Sequence, residues 1–162
     1  MTSNLSLAVR GLNYEFNFYP ENVTSEHLNG VSDEVIRLFN VRRIEDFNVC
    51  DRFGKVIVHT LYDLENKEYF LFGKFNSPMF IVDKSLTYVF RMNELRINGL
   101  SYNRELILRL NTIHVVSDPI NAIYMMSNGF ATIWTGKGIV LRSDELKILE
   151  QLGTIIIMRN DE

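Results

Sequence analysis

A nine-residue phrase occurs twice in this chain, and an internal repeat limits the possible folds more than composition does. Val89-Phe90-Arg91-Met92-Asn93-Glu94-Leu95-Arg96-Ile97 returns 51 positions later as Val140-Leu141-Arg142-Ser143-Asp144-Glu145-Leu146-Lys147-Ile148. Upstream, Val58-His59 followed by Asp63, Tyr69 and Leu71 is echoed by Ile113-His114 followed by Asp118, Tyr124 and Met126, now 55 apart. A short deletion in a surface loop accounts for the change of offset, because connections tolerate such losses. The expectation is that residues 55–97 and 110–148 are two copies of one small β-rich module.

Ahead of the repeat, Leu5, Leu7 and Val9 alternate with polar residues, and Tyr14, Phe16 and Phe18 do so again after Gly11-Leu12-Asn13. Period two on both sides of a turn predicts a hairpin or two edge strands over 5–19. From Ser32 the period changes. Ser32 is a fair N-cap, Asp33 and Glu34 suit a first turn, and Val31, Val35, Leu38 and Phe39 share a face. That predicts a short helix ending near Asn40, with a further turn around 42–47.

In the first module, strands are expected at Lys55–Leu61, Glu68–Phe72, Met79–Val82 and Leu86–Arg91, with a turn at Asp83-Lys84-Ser85. In the second they are expected at Leu110–Val116, Ala122–Met126, Phe130–Thr135 and Ile139–Arg142. Each module closes on a short polar turn, Met92–Leu95 or Ser143–Leu146. Residues 98–105 read as a linker, and 151–158 as a final strand.

The repeat puts Arg91, Arg96, Arg142 and Lys147 at equivalent places, and Lys55, Lys74, Arg109 and Lys137 lie near them in sequence. One reading is a solvated face whose cations pair with Glu94 and Glu145. The other is a basic stripe that grips nucleic-acid phosphates without reading bases, aided by Trp134 and Phe130. The whole chain has a net charge of -3, so any such stripe must be local. The imbalance is indeed local: residues 1–50 hold seven acids and four bases, while 51–162 hold thirteen of each.

His59 and His114 each precede an Asp by four positions. Four residues of strand span about 13 Å, too far for one metal, so a histidine at a strand end followed by a turn aspartate is the simpler reading. A small phosphoesterase built on the two histidines is the enzymatic alternative. Gly136-Lys137-Gly138 lacks the longer glycine-spaced run of a phosphate loop and is read as a hairpin turn. The lone Cys50 permits no internal disulfide and no cysteine-rich zinc site. No metal or cofactor is expected. The chain shows neither a signal-peptide pattern nor a spanning apolar run, so a cytoplasmic protein without membrane contact is expected.

Strand, polar turn and a Glu-Leu-basic-Ile ending resemble the closing segment of SH3-like barrels of the KOW and Tudor kinds, over 55–97 and 110–148. The pattern departs from KOW modules at their early glycine, for which only Gly129, or more loosely Gly54 and Gly73, offers a match. Size and composition also resemble accessory proteins of tailed phages, among them DNA-binding modulators of early transcription. The resemblance implies an α+β, mainly β protein with two tandem SH3-like barrels (51–98 and 106–158). An N-terminal hairpin and short helix (1–50) would pack on them. It further implies a non-enzymatic protein binding duplex DNA with little sequence preference. The alternative is an adaptor or inhibitor acting on a host protein such as RNA polymerase.

Overall fold

The computed structural model describes residues 3–9, 12–51, 53, 55–59, 68–74, 77–91, 96–136, 139–152 and 155–159. They form an α+β protein that divides into two compact units, Met1–Asn29 with Phe39–Asn93, and Gly30–Leu38 with Glu94–Glu162.

The first unit is a seven-stranded antiparallel sheet. Its strands are β1 (Ser3–Val9), β2 (Leu12–Phe18), β3 (Arg42–Cys50), β4 (Val56–His59), β5 (Tyr69–Lys74), β6 (Ser77–Asp83) and β7 (Tyr88–Arg91). Their order is β1-β2-β3-β5-β6-β7, with β4 also on β3. The expected hairpin is β1–β2, and Phe16 and Phe18 are both buried while Glu15 and Asn17, which alternate with them, are half-buried. The turn expected at 42–47 is instead part of β3, which pairs on one side with β2 and on the other with β4 and β5. In β5, Tyr69 through Phe72 are all buried, and the Phe72 ring stacks on Phe80 at 5.0 Å.

Two hairpins of this sheet use one device. At β3–β4 the Asp51 carboxylate accepts the Phe53 and Lys55 N–H groups, both at 2.9 Å. At β6–β7 the Asp83 carboxylate accepts those of Ser85 and Thr87, at 2.9 and 3.0 Å. A short carboxylate that bonds the backbone two and four residues on is what makes Asp a turn residue. The strands expected in the first module are therefore present, although among the described residues the sheet does not close into a barrel.

The second unit corrects the repeat. Its elements are α1 (Asp33–Leu38), α2 (Leu100–Leu110), β8 (Thr112–Val116), α3 (Pro119–Ser127), β9 (Thr132–Trp134), α4 (Ser143–Leu152) and β10 (Ile155–Met158). The three strands are parallel in the order β10-β8-β9, so β8-α3-β9 and β9-α4-β10 are two successive crossover units. Helices α2 and α4 cover one face of this sheet, where Ile107 and Leu149 pack with Ile113, Val115 and Ile133. Helix α3 packs on β8 and β9 and buries Ala122, Ile123 and Met126.

Residues 106–158 are thus an α/β unit and not an SH3-like barrel. The strand expected at Ala122–Met126 is helical because Pro119, Ala122, Ile123 and Met126 recur at helical spacing, behind an Asp118 cap and a proline at the first position. Ser143–Leu146, expected as a closing turn, opens α4, whose first turn carries Asp144 and Glu145. The expected linker 98–105 is mostly α2. The expected strand Ile139–Arg142 is not one. Among the described residues no helix is long and apolar enough to cross a membrane.

Candidate functional site

The two copies of the phrase meet in the second unit. Arg96, from the first copy, donates from Nε and Nη2 to the two carboxylate oxygens of Glu145, from the second, at 3.0 and 2.9 Å. Its Nη2 also donates to the Val140 carbonyl at 2.9 Å. Glu145 further accepts the Arg142 backbone N–H at 2.9 Å and lies 3.4 Å from that residue's guanidinium. With three donors converging on it, the buried carboxyl is held down to about 2, first by the Arg96 hydrogen bonds and then by the Arg142 N–H. Glu145 in turn holds the Arg96 guanidinium above its ordinary value.

This changes what the expected basic stripe can do. Arg96 and Arg142 are engaged by carboxylates, Arg142 also by Asp144 at 3.4 Å. Trp134 is only 4% exposed and packs against Gly99, so its ring faces belong to the core. Lys55 is exposed at the β3–β4 hairpin of the first unit. Lys74 and Arg91 end β5 and β7, their side chains lying outside the described residues, as does all of Lys137.

In the second unit, Arg109 on α2 and Lys147 on α4 are exposed and form no ion pair among the described residues. Arg104 on α2 joins them, a cation that the repeat could not point to because it lies outside both copies. All three sit on the helices that cover the same sheet face.

The carboxyl ends of parallel strands are where α/β sheets commonly bind ligands, often with phosphate at a helix N-terminus. Here both helices that follow a strand carry their own anion. Asp118 accepts the Ile120 N–H at 2.8 Å at the start of α3, and Glu145 occupies the first turn of α4. A phosphate would meet a carboxylate at each, so neither end is a nucleotide site of the usual kind.

The two histidines fall in different units, and the His59 side chain lies outside the described residues. His59 lies on β4 of the first unit and His114 on β8 of the second. His114 is buried, with Phe130 edge-on at 5.1 Å, and its Nδ1 accepts from Arg159 Nε at 2.9 Å. Since arginine only donates, the neutral imidazole carries its proton on Nε2. Burial, and then the Arg159 charge, push its pKa below the ordinary histidine value. Burial pushes the Cys50 thiol up, with Glu15 and Asp51 adding to it, so Cys50 is a poor nucleophile. Among the described residues no group of three or more His, Cys, Asp or Glu could hold a metal.

The second unit also contains a cavity of about 390 Å³ between α1 and α2, with Met126 of α3 at its base. Asn103, at its wall, is 1% exposed and fixed by four bonds, one of them from Nδ2 to Met126 Sδ at 3.6 Å. Its Nδ2 donates to the Gly99 and Thr132 carbonyls, both at 2.7 Å, and its Oδ1 accepts the Thr132 N–H at 3.2 Å.

No protein-family model matches the chain, and no curated protein or solved structure matches it either.

Proposed function

We propose that this is a non-enzymatic binding protein that contacts the backbone of nucleic acid, duplex DNA in the first instance, through the α2–α4 surface of its second unit. One observation carries the reading: Arg104 and Lys147 are exposed, without ion pairs among the described residues, on two helices that cover the same sheet face. Two phosphate contacts predict weak affinity and a log–log salt slope of about -2. Sequence preference should be small, since such contacts position a protein and carry no base information. Modulation of transcription in a phage-infected cell is the setting that the resemblance to phage accessory proteins implies.

Fluorescence anisotropy with a labelled random-sequence duplex at two salt concentrations tests it. Binding that weakens with salt, and weakens further in Arg104→Glu/Lys147→Glu, supports the proposal. Absence of binding at low salt removes it.

A second reading, an adaptor on a host protein such as RNA polymerase, is favoured by the edge strand β10. Ile155 and Met158 there are 53% and 59% exposed. Ile155 and Arg159 donate toward β8, so the backbone groups of Ile156 and Met158 point away from it. An open apolar edge is a template for strand addition. Capture of purified RNA polymerase that Ile155→Lys abolishes would favour this reading over nucleic acid.

A further inference from the structure

We propose that the cavity between α1 and α2 is a binding site for a small amphipathic cation, an ammonium group on an unbranched or aromatic apolar body. The inference is independent of the nucleic-acid reading.

Its volume, about 390 Å³, lies in the range of small-molecule pockets. The inner wall is apolar: Val35 and Met126 are 3% and 7% exposed, and Leu106 is half-buried beside them. Methionine, unbranched and polarisable, adapts to ligands of different shape. The wall is also fixed in place. Asn103 bonds α2 to β9 by two hydrogen bonds with Thr132 and donates to Met126 Sδ at 3.6 Å, and the Ser32 N–H donates to Ser127 Oγ at 3.0 Å, tying the start of α1 to the end of α3.

The charges on the lining decide the ligand class. Glu34 of α1 and Glu105 of α2 line the cavity together with a single guanidinium, Arg109, one turn along α2 from Glu105. None of the three is ion-paired among the described residues, so two carboxylates against one cation leave the lining net negative. An anion would face that excess, whereas an ammonium can contact a carboxylate while its body displaces water from Val35, Leu106 and Met126. Tyr102, which also lines the cavity, offers an aromatic ring that suits a cation.

The test uses the full chain and three probes of one length: n-hexylammonium, hexanol and hexanoate. The readout is the NMR shift of the Met126 methyl, assigned through Met126→Leu. The proposal expects a saturable shift with hexylammonium, weaker binding of hexanol and the weakest of hexanoate. Glu34→Gln and Glu105→Gln, both at exposed positions, should each weaken hexylammonium by roughly two- to fivefold while leaving hexanol unchanged. Hexanoate binding as tightly as hexylammonium would overturn the assignment of charge. No saturable shift of the Met126 methyl up to the solubility of hexylammonium would overturn the site itself. Neither outcome bears on DNA binding, which the Arg104→Glu/Lys147→Glu variant reads separately.

Discussion

Arg96 and Glu145 face each other through two parallel hydrogen bonds of 3.0 and 2.9 Å, one residue from each copy of the repeated phrase. Residues alike in sequence are thus partners in space, while the segments around them fold differently. The copy at 89–97 begins within β7 of the antiparallel sheet, and the copy at 140–148 enters helix α4.

This pair should make the protein acid-sensitive. The Glu145 carboxyl titrates at about 2 in the folded chain against an ordinary 4.5, so its contribution to stability is fully present above 4.5 and is lost as pH falls toward 2. Thermal unfolding of Glu145→Gln beside the parent chain checks this. The gap in Tm should be widest above pH 4.5 and should narrow steadily below it. Arg96→Met and Glu145→Gln combined should cost less than the sum of the two alone, since they share one contact, the remainder coming from the Arg96–Val140 and Arg142–Glu145 bonds.

Gly99→Ala should destabilise the second unit by about 1–3 kcal/mol. Gly99 precedes α2 at a φ of 86°, and a Cβ there would lie 2.6 Å from Trp134 Cζ3. The chain has one tryptophan, so its emission reports the site directly. A red shift with earlier urea unfolding is expected, and an unchanged spectrum with unchanged midpoint would contradict the packing described.

Asn103→Leu should cost about 2–3 kcal/mol despite its similar volume. It leaves the Thr132 N–H and carbonyl, both now bonded to the amide, short of partners in a buried place. Urea titration measures the loss. Stability equal to or above the parent chain would show that the apolar gain outweighs the lost bonds.

Asp51→Ala and Asp83→Ala should each cost about 1–2 kcal/mol, through the same loss of two backbone hydrogen bonds at a hairpin. Asn at either position should recover part of that loss, because its carbonyl oxygen can accept the same bonds. Denaturant midpoints for the four variants compare the two turns.

His114 should titrate below an ordinary histidine, with burial first and the Arg159 charge second as the causes. Its folded pKa is depressed, so the stability held by the neutral ring is complete above the unfolded value and is lost as pH falls through the folded one. Arg159→Gln should raise the pKa, because it removes the charge facing Nδ1. NMR titration of the His114 ring protons reads the shift, and a fall on that substitution would refute the assignment.

Much of the first unit was legible in the chain itself. Alternation over 5–19 reads as the hairpin β1–β2, and Asp83-Lys84-Ser85 as the turn between β6 and β7. In the second unit the signals were present but ambiguous. Ala122–Met126 is a short apolar run whose period alone does not separate strand from helix, and Asp118-Pro119 before it was the better guide. Helix α2 was hidden by Asn103, a polar residue in the middle of its buried face, which only its bonds to Gly99 and Thr132 make compatible with burial.

The site shows the same division. That Arg96 and Arg142 recur is a fact of sequence, but whether a cation is available for a phosphate depends on which carboxylate reaches it. Glu145 takes up both, and Arg104 and Lys147 remain on α2 and α4. Local order in this protein (turn aspartates, caps, alternation) follows from the sequence, because neighbouring groups set it. Only the tertiary structure decided that one copy of the phrase adjoins an antiparallel sheet and the other a parallel one. Burial and hydrogen bonding between residues far apart in the chain outweigh the small intrinsic preferences of nine similar residues.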